Sequence, residues 1–133
     1  MTTDYKKFYR RCREVYPFVT EHLAPTGDLH DMRKMPAVFE SFSAITGHTR
    51  DDLTQNIDDS RMVFIAVAVK MSDSLFFEFN DYAPYRLLLA ISKISGCSKG
   101  QILYNLKKVK NYWQVYPDFR KKVNDICTKI KVE

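Results

Sequence analysis

The sequence predicts an all-α fold, and three observations carry that prediction. Apolar residues recur at spacings of three and four along most of the chain, the period of helices buried on one face. Most of the four glycines and five prolines stand between these runs, where they act as stops and starts. The one β-rich stretch, residues 75–79, has no partner strand elsewhere, so it reads as a loop or a helix end. With 133 residues, 45% of them apolar and 28% charged, the chain suits one globular core and is too short for a second.

Each element follows from its own residues. Over residues 4–23, Tyr5, Phe8, Tyr9, Cys12, Val15, Tyr16 and Val19 form one amphipathic face, with Pro17 a bend or break. Pro25 and Gly27 make a turn, which sets residues 1–30 apart as an N-terminal amphipathic helical extension and leaves residues 31–133 as one compact unit. Pro36 suits the first turn of a helix that carries Ala37, Val38, Phe39, Phe42 and Ile45 and stops at Gly47. Thr49 and Asp52 have the spacing of a capping box for a short helix over Arg50–Gln55, and Asp58 or Asp59 can cap a longer one over residues 61–71. That longer run, MVFIAVAVKM, is apolar on every side and predicts a central, buried helix.

Pro84 opens a helix over Tyr85–Ser95 with Leu87, Leu88, Ala90, Ile91 and Ile94 inward, and Gly96 ends it. Ser98 caps the next helix, whose Ile102, Leu103, Leu106 and Val109 keep the same spacing. Asp118 caps the last, with Phe119, Val123, Ile126, Cys127 and Ile130 facing the core. Two helices joined by so short a Gly-containing turn are a helix-turn-helix candidate. An echo of this arrangement, ITGHTRDDLTQNI at residues 45–57 against ISGCSKGQILYNL at 94–106, reflects shared capping chemistry.

Charge divides the chain more sharply than its net +5 suggests. Residues 82–133 hold eleven Lys or Arg against three acids, leaving the first 81 residues with a net −3. An acidic part joined to a strongly basic one suits a molecule with a single polyanion-facing surface, because neutralised phosphates release counterions. No stretch approaches the roughly 18 to 20 apolar residues of a membrane span, and the chain opens on Asp4, Lys6 and Lys7, so a cytoplasmic protein is expected. Cys12, Cys97 and Cys127 are odd in number and lack metal-ligand spacing, which predicts buried reduced thiols.

From Lys34 to Ile130 the order of elements resembles the C-terminal DNA-binding domain of the bacterial replication initiator DnaA, in the Trp-repressor-like helix-turn-helix superfamily. An apolar helix ends FSAITG, a short helix RDDL follows, then a central helix SRMVFIAVAVKM, a scaffold helix ending ISKISG, the helix SKGQILYNLKKVKNY and a last helix near DFRKKV. Gly96 matches the family's turn glycine, Leu103 and Lys108 its recognition-helix core and basic positions, and Arg61 an arginine opening the central helix. The family's Asp-His-Thr-Thr run is replaced by Ser98, Lys99, Gly100 and Gln101, so a different DNA sequence is expected to be read. Its basic loop is replaced by QNIDDS, which carries two acids. The resemblance implies a single orthogonal bundle of about six helices and binding of duplex DNA. An initiator proper is not implied, since there is no phosphate-binding glycine loop.

In such a fold the second helix of the motif lies in the major groove, with its first residues at base edges. Lys99 then suits guanine, Gln101 or Asn105 suits adenine, and Gly100 lets the backbone approach closely. Lys107, Lys108 and Lys110, with Ser98 at the helix start, suit phosphate, and Tyr104 and Asn111 share the exposed side. Arg50 and Arg61 can reach the DNA backbone or be held by Asp51, Asp52, Asp58 and Asp59 in surface pairs. Tyr112, Trp113, Tyr116 and Phe119 have helical spacing, which favours core and helix-end packing over base stacking.

The function expected is duplex DNA binding in transcriptional or replication regulation, with a mobile element as one setting. The alternative is a helical protein-protein adaptor that kept the fold and binds through its acidic N-terminal part or the apolar LFFEF stretch. His22, His30 and His48 are scattered without companions for a triad, and the aspartates lack calcium-loop spacing, so no enzyme, cofactor or metal is expected. A homodimer suits a reader of two half-sites, although no heptad run announces one.

Overall fold

A computed structural model of the chain describes Leu29, residues 31–79 and residues 83–130. The fold is all-α, with no strand among the described residues. Among the described residues seven α-helices follow in order: α1 (Met35–Thr46), α2 (Arg50–Gln55), α3 (Ser60–Ser72), α4 (Phe76–Phe79), α5 (Tyr85–Ser95), α6 (Lys99–Val115) and α7 (Pro117–Lys129). Short 3₁₀ turns precede α1 at Met32–Lys34 and α3 at Ile57–Asp59. None of these helices is long and apolar enough to cross a membrane. The helix expected over residues 4–23 lies outside the described residues.

The core is organised around α3 because its sequence leaves it no polar face. Every residue from Ser60 to Val69 is buried, and Met71 as well. A helix apolar on all sides must be enclosed, and α3 packs against all six of the other helices. Phe64 stands edge-on to Phe39 at 5.6 Å and to Phe42 at 5.1 Å between ring centroids, tying α1 to α3. Each such fully buried side chain contributes about 1.5–3 kcal/mol of hydrophobic stabilisation. Leu29 already belongs to this core: it is buried and donates its N–H to Met71 O at 2.9 Å.

Helix boundaries follow the punctuation in the sequence. Gly47 and Gly96 take left-handed backbone, φ 80° and 72°, and close α1 and α5. Thr49 and Asp52 exchange side-chain and backbone hydrogen bonds across the start of α2, a complete capping box. Burial and the Thr49 N–H act on Asp52 in opposite senses, and the hydrogen bond prevails, holding its carboxyl below the usual carboxylate range. Ser98 Oγ accepts the N–H of Gln101 at 3.1 Å and starts α6.

Two expected caps are corrected. Neither Asp58 nor Asp59 caps α3 with its side chain; Asn56 Oδ1 does so by accepting the Arg61 N–H at 3.2 Å. Asn56, Asp58 and Asp59 all have positive φ, 54°, 52° and 58°, and of the three it is Asn56 whose side chain accepts from the helix start. Asparagine and aspartate are the non-glycine residues that tolerate this region best. Asp118 is likewise not the cap of α7, because Pro117 takes the first helical position and Tyr116 the cap, leaving Asp118 in the first turn.

Residues 75–79, expected as a loop or a helix end, contain the single-turn helix α4. Its Phe76 and Phe77 are buried, and the Phe77 ring stacks on Trp113 at 4.1 Å and 8°. Phe76 and Phe77 of the LFFEF stretch are thus spent on the core, while Leu75 and Glu78 are half-buried.

Candidate nucleic-acid interface

The last turn of α5 and the first turn of α6 are joined by Gly96, Cys97 and Ser98 alone. Left-handed backbone at Gly96 reverses the chain, and the turn is then held from behind. Thr54 on α2 donates its hydroxyl to Ser95 O at 2.6 Å. A Cβ at position 96 would lie 3.3 Å from Thr54 Oγ1, so α2 abuts the turn closely. Within the turn, Ser92 Oγ donates to Cys97 O, and the Cys97 N–H donates to Ser95 Oγ at 3.3 Å.

Arg61 completes this support from inside. It is 9% exposed and is bound entirely by neutral partners. Its Nη1 donates to Leu53 O at 3.2 Å and to Thr54 O at 3.0 Å, the last carbonyls of α2, with Cys97 Sγ at 3.3 Å. A guanidinium cannot shed its charge, so the partial negative charge on these carbonyls is what makes its burial tolerable. Its Nε donates to Asn105 Oδ1 at 2.9 Å, which links α2, α3 and α6. Arg61 thus faces the interior rather than a DNA backbone, and none of the four aspartates holds it.

Asn105 is corrected with it. The spacing placed Asn105 among the outward residues of α6, but it is 3% exposed. The buried side of α6 runs through Ile102, Leu106, Val109 and Trp113, and Asn105 lies one turn from both Ile102 and Val109 on that side. Leu103, matched to a core position, is instead 45% exposed. It falls on the opposite arc of the helix, between Lys99 and Lys107.

That outward arc collects most of the remaining candidates. Lys99, Gly100, Leu103, Tyr104, Lys107, Lys108 and Asn111 are all exposed, and α6 contains no acidic residue. Lys108 Nζ lies 4.8 Å from the centre of the Tyr104 ring. Lys99 Nζ rests 4.5 Å above the ring of Tyr85 at the start of α5 and hydrogen-bonds its hydroxyl. Among the described residues, Arg33 pairs with Asp31 and His48 Nδ1 lies 3.7 Å from Asp52 Oδ2, and no ion pair involves Lys99, Lys107 or Lys108. Gly100 has room for a methyl group, the nearest atom to an added Cβ being Ser98 Oγ at 4.0 Å. The fold therefore does not require glycine there, although glycine costs a helix about 1 kcal/mol relative to alanine.

Three candidates stand apart from this arc. Lys110 is half-buried and turned toward α4, its ammonium 5.2 Å from the Phe76 ring. Arg50 is exposed on α2, with its guanidinium 5.9 Å from the Phe39 ring. Ser98 has its hydroxyl committed to the cap of α6. Trp113 is enclosed by Phe77 and Lys70, and Tyr112 packs edge-on against Tyr116 at 5.3 Å and Phe119 at 5.7 Å. Tyr112, Tyr116 and Phe119 thus meet at the α6–α7 joint, where Tyr116 stays 52% exposed, while Trp113 packs toward α3 and α4.

Sequence reasoning missed the Arg61–Asn105–Gln101 chain of hydrogen bonds. Gln101 and Asn105 are four residues apart on one helix, but Arg61 is 44 residues from Asn105, and no local pattern joins those two. Comparison with protein-family models, with curated proteins and with solved structures finds no match.

Proposed function

We propose that this chain binds duplex DNA, with α5, the turn at residues 96–98 and α6 serving as a helix-turn-helix and the outward arc of α6 entering the groove. One observation carries the reading. Lys99, Lys107 and Lys108 share one exposed helix face with Tyr104, Asn111 and a glycine, with no acid on that helix and no ion pair to neutralise them among the described residues. An unneutralised basic face attracts a polyanion, and a helix fits the major groove in width. Regulation of transcription or replication is the setting that the fold resemblance favours.

Fluorescence anisotropy on mixed-sequence duplex DNA across a salt series tests the reading. The wild type is expected to bind at low salt and to weaken steeply as salt rises. The combined Lys99→Ala, Lys107→Ala, Lys108→Ala variant is expected to bind more weakly with a shallower salt slope, by about 0.9 for each phosphate contact removed. Absence of binding at low salt by folded wild-type protein overturns it.

A protein partner is the second reading, and one feature favours it. Leu103, Tyr104 and Val115 are 45%, 55% and 56% exposed along the same arc, which leaves apolar side chains open to another protein or a second copy of the chain. Sedimentation of the wild type without DNA separates these cases.

A further inference from the structure

The hydrogen bonds behind α6 bear on which residue reads sequence, and this inference rests on the DNA-binding reading above. Asn105 Oδ1 accepts from Arg61 Nε at 2.9 Å and from Gln101 Nε2 at 3.1 Å. A guanidinium is donor-only, so it fixes which end of the Asn105 amide turns toward it. With that oxygen fixed, Gln101 must offer its NH₂ end to Asn105. One N–H of Gln101 is thereby used, while its second N–H and its Oε1 keep no partner among the described residues. Gln101 is half-buried, at the border between the buried side of α6 and the outward arc, in the first turn, where a groove-bound helix meets base edges.

A carbonyl and an N–H held side by side are the complement of the adenine edge, which presents the N6 donor and the N7 acceptor together. We propose that Gln101 is the base-reading residue of α6, selective for adenine, and that Asn105 and Arg61 are positioning residues that fix its amide from inside. Fixing the amide before binding removes part of the ordering cost and makes the wrong amide orientation costly. Asn105 thus acts on recognition through Gln101 without touching DNA, which explains an amide placed on an otherwise apolar helix face.

The test is selection of binding sites from a randomised duplex library by full-length wild type, Gln101→Ala, Asn105→Ala and Asn105→Asp, with thermal unfolding of each as a fold check. Wild type is expected to enrich adenine at one position of each site by about tenfold. Gln101→Ala should lose that preference while its salt slope on mixed-sequence DNA stays unchanged. Asn105→Asp keeps an acceptor for both donors and should retain the preference, whereas Asn105→Ala should relax it. If Asn105→Ala does not fold, Gln101→Glu replaces it: a carboxylate cannot donate to Asn105 Oδ1, and adenine should give way to cytosine. Duplex binding with no adenine preference, or with one that Gln101→Ala leaves intact, overturns the inference and leaves the DNA-binding reading standing. No duplex binding by folded wild type overturns that reading itself.

Discussion

Cys127 shows how far a single side chain can depart from its ordinary chemistry in this core. Its sulfur lies 3.9 Å from Val67 O on α3, and burial pushes the thiol up to about 11 from an ordinary value of 9.0, with nearby Lys70 acting in the opposite sense. Burial disfavours the thiolate because an ion there loses its water. The thiolate is the reactive form, so a shift in this direction makes it scarcer in the folded chain than in an unfolded one at neutral pH. Peptide-level mass mapping after iodoacetamide treatment at pH 8 should therefore find Cys127 alkylated far more slowly in native protein than in protein unfolded by guanidinium. Equal rates would show that the thiol is open to solvent. The linkage has a definite sign: the folded chain holds this proton to higher pH than the unfolded chain. Its effect on stability is absent below pH 9 and becomes a loss as pH rises from about 9 to about 11.

At the scale of elements, local chemistry was legible and long-range polar pairing was not. Gly47, Gly96, Pro36, Pro84, Ser98 and the Thr49–Asp52 box each act within four residues of themselves, and each stands where its chemistry placed it. Asp59 and Asp118 misled because Asn56, from outside the pair of aspartates, supplies the side-chain cap of α3, and because Pro117 takes the first position of α7 and moves the cap to Tyr116. Asn105 misled for a different reason: an amide looks like surface until the buried Arg61 that satisfies it is brought alongside. The junction before α3 offers a test of the capping account. Asn56 combines left-handed backbone, φ 54°, with a side chain that accepts the Arg61 N–H. Asn56→Gly loses only the side-chain cap and should cost about a few tenths of a kcal/mol. Asn56→Ala loses the cap and also strains the backbone, for a total of about 2–3 kcal/mol. Urea unfolding of both variants measures the difference, and equal midpoints would mean that the left-handed conformation carries no cost at this position.

Across the whole molecule, the packing plan and the charge plan pull in different directions. A helix with no polar face recruits six others around it, while α6 and α7 carry most of the eleven basic residues of the C-terminal part toward the surface. Like charges gathered on adjacent helices repel, and the folded state bears more of that cost than the expanded chain. Added salt screens exposed charges over about 10 Å at 0.1 M and less as concentration rises, so it should relieve the repulsion. The melting temperature of DNA-free protein is therefore expected to rise by a few degrees between 20 mM and 500 mM NaCl, over the same range in which the proposed DNA binding should weaken. Since the basic face is the proposed contact, duplex DNA at low salt should raise the melting temperature in its turn, because a ligand of the native state alone stabilises it by mass action. The Lys99→Ala, Lys107→Ala, Lys108→Ala variant should begin with a higher melting temperature at low salt and gain less from either addition. A variant no more stable than wild type at low salt would show that these lysines are too well solvated to repel one another. The surface would then be basic without being strained, and its charge would bear on partners alone.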